Sequence, residues 1–454
     1  METLPADQLV ARLKEHLRDG QSADGASRFV ERKRRIVGDL DLSGLALPFP
    51  VEFEDCELDR LILVDARLDI LRITRSTLSG IEGDRLAARG LQFDDEFVCK
   101  GSMWLPEARV EGDMNCGGAT VENPRGWAVC LDGAHIGGRL FLRHGTYRGR
   151  VSAINARLDG GVSAFETTFE ARRALDLARA RIGGRLFLSK ATVHGELRLF
   201  GVSVAEDVVL LAESLAGKVN LRAAVIDGQL RWRPTLVDGL THVVLERARV
   251  GRLDDRGANW PEHGVNLRGF VYDDIADLGS SSTWTADRIE WIRRANGKRF
   301  DRQPYEQLEA VMRRGGYVHE ARQVAMAKHD DLRGSGHLSR TGKWFNRFLG
   351  LTLGHGYAVW RALIPALVLA VIGALVFWYG EDAGQLAKGR ANAPSFAAAI
   401  YSLDMLLPIV DLGQADARPP VSGISLYYSW LQISAGWLLA TLIGLGLSGV
   451  VKKD

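Results

Sequence analysis

The chain has 454 residues, 46% of them apolar and 25% charged, with a formal net charge of +2. That length admits two or three folded units, and so balanced a charge argues against nucleic acid as a partner. Only 13 prolines stand against 50 glycines, a ratio that points to many tight turns and not to a disordered linker.

Residues 1–37 contain PADQLVARLKEHLRDG, an amphipathic, charged segment that reads as an N-terminal helical cap. It has no apolar core of the kind a secretion signal needs, so the part that follows is expected to stay in the cytoplasm.

Residues 38–279 are repetitive. The string IGGRLFL occurs at Ile136 and again at Ile182. From Ile182 a finer step of 11 residues appears, with Val193, Val204, Leu215, Ile226 and Val237 in one phase. Two positions on stand Gly184, Gly195, Glu206, Gly217, Gly228 and Gly239, which read as corners. The inward positions are Leu186, Leu197, Val208, Val219, Leu230 and Thr241, then Leu188, Leu199, Leu210, Leu221, Trp232 and Val243. Alternation with period two means short strands with one buried face. Two such units close a coil of about 22 residues, so the fold class expected is mainly β: a parallel β-helix of roughly ten coils. ALDLARARIGGRLFL and GDLDLSGLAL resemble the pentapeptide-repeat and related quadrilateral β-helix proteins, which implies stacked coils. The acidic pairs Asp94–Asp95 and Asp254–Asp255 read as solvated turns.

Residues 280–335 switch to helical periodicity. Trp284, Ile289 and Ile292 share one face, and two further helices meet at Gly315–Gly316, resembling a single tetratricopeptide-type hairpin that packs on the solenoid. Residues 336–361 mix cations with aromatics. Lys343, Trp344, Arg347 and Trp360 are the expected membrane-interface residues.

Residues 362–454 hold two uncharged apolar runs, 362–379 and 427–451, each close to the roughly 20 residues that cross a bilayer. Basic flanks (Arg340, Lys343, Arg347 and Arg361 before, Lys452 and Lys453 after) place both termini and the β-helix on the cytoplasmic side of an inner membrane. Ala440, Gly444 and Ser448 give the small-residue spacing that lets spanning helices approach. Between the runs lies PSFAAAIYSLDMLLPIVDLGQ, whose order of short helix, proline and acidic turn resembles the pore loop of two-span cation channels. Tyr401, Ser402, Asp404, Pro408, Asp411 and Gly413 are the candidate pore-loop residues. The filter threonine and Gly-Tyr-Gly are missing, so potassium selectivity is not expected.

This order of cap, β-helix, hairpin and two spans around YSLD-x-LLP-x-VDLG is similar to a family of bacterial membrane proteins often labelled membrane-associated oxidoreductases. The residues themselves offer no cofactor fingerprint, no CxxC and no metal-spaced histidines, so no enzyme, cofactor or metal is expected. Cys56, Cys99, Cys116 and Cys130 fit buried thiols in a reducing compartment. The expected function is a membrane-anchored scaffold with the lipid bilayer, a second copy of itself and a protein on the β-helix as partners. The alternative is an oligomeric pore-loop channel regulated by the β-helix.

Overall fold

The computed structural model describes residues 1–20, 28–297, 300–334, 363–387 and 395–447. The chain forms two compact units, Met1–Tyr317 and Val318–Asp454. Residues 336–361, with Lys343, Trp344, Arg347 and Trp360, lie outside the described residues.

The first unit is a parallel β-solenoid of about 11 coils with roughly 22 residues per turn. The coils stack in two parallel sheets, and many coils give the second sheet two short strands, such as Arg109–Val110 and Met114–Asn115. One sheet runs Ile36, Leu58, Leu78, Cys99, Val121, Tyr147, Phe169, Val193 and Leu215 along a single buried column. The other stacks Leu158, Ile182, Val204, Ile226 and Val250. Both columns are closed to solvent, and parallel pairing satisfies the backbone between coils. The inward positions from Leu186 to Leu230 and from Leu188 to Trp232 are buried as their alternation requires.

Corners differ from the expectation. They are turns such as Leu63–Ala66, in which the Ala66 amide donates to the Leu63 carbonyl at 3.1 Å and Asp65 takes φ +55°. A positive φ at the third residue is the mark of a type II turn. Most of these positions hold Asp, Arg, Asn or Glu in place of Gly (Asp65, Arg85, Asn155, Glu166, Arg179), although a left-handed residue with a Cβ costs roughly 1–2 kcal/mol. The amide of each corner residue donates to the next coil, Asp65 to the Asp84 carbonyl at 2.9 Å, which offsets the strain. The repeat glycines do other work. A Cβ on Gly184 would press on the Gly160 backbone, and one on Gly160 on the Gly138 backbone, so these glycines let neighbouring coils approach.

The unit containing Val237 also departs from the pattern. Insertion lengthens that coil, pairing Lys218 with His242, so Leu240 and Val243 turn inward while Thr241 is exposed and donates to the Gly217 carbonyl. Strands begin earlier than residue 38. Glu2–Pro5 pairs with Arg34–Asp41 in the first sheet, and Phe29–Arg32 opens the second. Helix α1 (Ala6–Gly20) buries Leu9 and Leu13 over the first coil.

At the other end, α2 (Trp284–Asn296) and α3 (Gln303–Arg314) close the solenoid. Gln303 and Gln307 donate through Nε2 to the carbonyls of Phe270 and Tyr272 at 2.9 and 2.6 Å, and Gln303 Oε1 accepts from the Gly269 amide. Side-chain amides thereby occupy backbone groups of the last coil, which would otherwise offer an open strand edge.

The second unit contains α4 (Val318–Gly334), α5 (Leu363–Asp382), α6 (Ala398–Leu406), α7 (Gln414–Ala417) and α8 (Gly423–Leu447). Among the described residues α5 alone is long and apolar enough to cross a membrane. A helix forms where the second span was expected, but its described part carries Ser425, Ser429 and Gln432. Close approach of the described helices uses Gly373, Gly380 and Gly436; Ser448, of the expected Ala440–Gly444–Ser448 spacing, lies outside the described residues. A Cβ on Gly436 would strike the Leu406 carbonyl, whereas one on Gly444 would meet open space.

Candidate functional site

The candidate pore-loop residues are brought together, but in roles the sequence did not disclose. Tyr401 packs among Phe377, Phe396 and Tyr428, and its hydroxyl donates to the Arg418 carbonyl at 2.8 Å. Ser402 donates to the Ala370 carbonyl on α5 at 2.8 Å. Gln432 on α8 donates to Ser402 Oγ at 2.7 Å and to the Ser402 carbonyl at 2.9 Å, joining three helices through one buried polar knot. The absence of a side chain at Gly373 makes room for both groups.

Asp404 is an organiser of the loop. Its carboxylate accepts the amides of Leu412 at 2.6 Å, Gln414 at 2.9 Å and Ala415 at 2.8 Å. Three amides on one carboxylate form a charge-assisted cap at the start of α7. Asp411 accepts the Gly413 amide at 2.8 Å, and Gly413 sits at φ +71° where the chain reverses. Pro408 lies in a turn just after α6, beside Ile409, which is 87% exposed.

A second site, missed in the sequence, closes the C-terminal end of the solenoid. Trp232 stacks on Trp260 with ring centroids 4.8 Å apart, and Trp291 packs tilted against Trp260 at 5.3 Å. Arg288 makes a paired contact with Asp255 at 2.6 and 2.7 Å and lies over the rings of Trp284 and Trp291. The Trp260 indole also donates to Asp255 at 2.8 Å. Asp254 and Asp255 are therefore buried and paired, which corrects the reading of them as solvated turns. Burial raises the Asp254 carboxyl, but hydrogen bonds from Arg256 and the charges of Arg233 and Arg256 outweigh it and hold the group below the usual carboxylate range. Asp94 is half-buried and goes the other way, raised by burial and by Asp95. The tryptophan cleft has a volume of about 460 Å³, and Trp291 Nε1 on its wall is buried without a hydrogen-bond partner among the described residues. The signal was legible. Trp284, Arg288 and Trp291 stand four and three residues apart, on one face of a helix.

The four cysteines are buried and unpaired. Burial pushes the thiols of Cys99 and Cys130 up to about 11, so neither is a thiolate at neutral pH. Among the described residues no cluster of His, Cys, Asp or Glu is placed to hold a metal ion. His144 occupies a corner beside Glu166 at 3.3 Å, and His194 lies within a strand. Comparison with known proteins leaves the fold as the guide: no family model, curated protein or solved structure matches the chain.

Proposed function

We propose that this protein is a membrane-anchored scaffold whose β-solenoid presents an interaction surface at the cytoplasmic face of the membrane. One observation carries the reading: α5 and α8 turn large apolar side chains outward, while polar side chains of α6 and α8 are buried. Leu363, Leu367, Val371, Leu375 and Trp378 on α5 are exposed, as are Ile424, Tyr427, Leu431 and Leu438 on α8, while Ser402, Ser425, Ser429 and Gln432 are buried. An apolar surface this continuous is unfavourable in water and favourable in lipid. On this reading α5 spans the bilayer and α8 is the second crossing, with both termini in the cytoplasm. The solenoid supports the scaffold role through its rigid ladder of coils with capped ends.

A second reading, an oligomeric pore, is favoured by α6, a nine-residue helix between the two long ones. Against it, Asp404 and Asp411 spend their carboxylates on loop amides and not on a shared lumen. The two readings separate in planar bilayers. The scaffold predicts no unitary conductance from purified oligomers or monomers. A conductance changed by Asp411→Asn, in protein that melts like wild type, would establish the pore and displace the scaffold.

A further inference from the structure

Most exposed arginines along the solenoid face an acid one coil away. Arg85 meets Asp65 at 2.7 Å, Arg75 meets Asp55 at 2.9 Å, and Arg148 sits between Glu122 and Glu170. In one notch several arginines gather without enough acids to pair them. The strand Thr120–Cys130 carries extra residues, and its register jumps between Glu122 and Trp127. Two coils on, Thr168–Asp176 jumps between Glu170 and Arg173. The coil between them has Gly149 at φ +135°, where a Cβ would strike the Asn123 carbonyl. Bulge, glycine and bulge together leave a cavity of about 250 Å³ lined by Arg125, Arg150, Arg172 and Arg173, with no acidic residue in its wall.

The notch is built, not loose. Asn123 Nδ2 donates to Ser102 Oγ at 2.8 Å and to the Trp127 carbonyl at 3.1 Å, and Trp127 packs edge-on against Trp104. Arg150 lies over the Trp127 ring and is fixed by Asp176 at 2.6 Å, yet its Nε is buried without a partner. Arg173 reaches Glu196 only at 3.8 Å. Arg125 and Arg172 make no ion pair among the described residues. With Arg198, which shares Asp176, five guanidinium groups stand against two carboxylates.

We propose that this notch binds a phosphate group. A guanidinium fork matches two oxygens of a carboxylate or a phosphate, and a phosphate has further oxygens left for additional guanidinium groups. The volume lies below the range of drug-sized ligands, so a phosphate or diphosphate fits and a nucleotide does not. The anion would complete the hydrogen bonding of Arg150 and balance the excess positive charge of the cavity wall. The inference concerns the solenoid alone and stands whether or not the second unit anchors in lipid. The phosphate can come from a soluble ion or from a lipid headgroup.

The test is calorimetric titration of the detergent-solubilised full-length protein at low salt. The probes are inorganic pyrophosphate and a short-chain, water-soluble phosphatidic acid, with short-chain phosphatidylcholine as control. Saturable binding of either anionic probe is expected, weakened roughly 10- to 100-fold by Arg172→Ala and by Arg125→Ala. Arg67→Ala, an exposed arginine elsewhere on the solenoid, leaves it unchanged. Tighter phosphatidic acid binding, with pyrophosphate as competitor, assigns the site to a headgroup; pyrophosphate binding alone assigns it to the soluble ion. Absence of saturable binding by both probes, or affinity unchanged in both variants with native melting behaviour, overturns the site.

Discussion

The two units use the same apolar side chains in opposite senses. In Met1–Tyr317 leucine, valine and isoleucine fill an interior between two sheets, and arginine and aspartate cover the outside. In Val318–Asp454 Leu363, Leu367 and Leu375 of α5 and Leu431 and Leu438 of α8 are outside, and serine, glutamine and tyrosine meet inside. The contrast teaches that burial is set by the surrounding solvent as much as by the side chain. Water drives the solenoid's columns together. On the proposed membrane reading, interhelical hydrogen bonds and close contacts at Gly373, Gly380 and Gly436 take that role in the second unit.

The sharpest way to break this comparison is to make one substitution in both places. Leu188→Ala, in a fully buried column, is expected to cost about 2–5 kcal/mol. Leu367→Ala, on the exposed face of α5, is expected to cost below about 0.5 kcal/mol in detergent. Thermal and denaturant melts of the purified variants measure both, and equal costs would erase the distinction.

A smaller effect distinguishes the solenoid's C-terminal end. The Asp254 carboxyl lies below its usual range in the folded chain, so as pH falls the unfolded chain takes up the proton first. Its contribution to stability is complete above the ordinary carboxylate range and is lost as pH drops through the depressed value. Melting across that acidic window is expected to steepen in wild type and to flatten in Asp254→Asn. A wild-type slope retained by the variant would assign acid sensitivity elsewhere. The least effect is expected from the exposed corner pair. Arg85→Ala, which removes the Asp65 contact, should leave the melting midpoint unchanged within error, since exposed ion pairs contribute little.

Much of the solenoid was legible because its period is written in residues that must face inward. Leu186, Leu188, Leu197 and Leu199 announce both the strand alternation and the coil. The corners were not legible as glycine sites, because Asp65, Arg85 and Asn155 accept the left-handed conformation in exchange for a hydrogen bond to the next coil. A better marker stood unused: the small residue after many of the corners, Ala66, Ala134, Ala156, Ala180, Ala224 and Ala248, buried inside the bend. The role of Asp404 was hidden because its amide partners lie eight to eleven residues on, across a reversal that no local pattern discloses. Asp254 and Asp255 looked like a turn because, Arg256 aside, the arginines that pair with them, Arg233 and Arg288, are distant in sequence.

The central claim, that the second unit is turned inside out for lipid, is tested most directly by alkaline carbonate extraction of membranes from cells expressing the full chain. The protein is expected to remain in the membrane pellet and to be released by detergent alone. Recovery in the carbonate supernatant as a folded species would contradict the account and return α5 and α8 to a water-facing or partner-covered role.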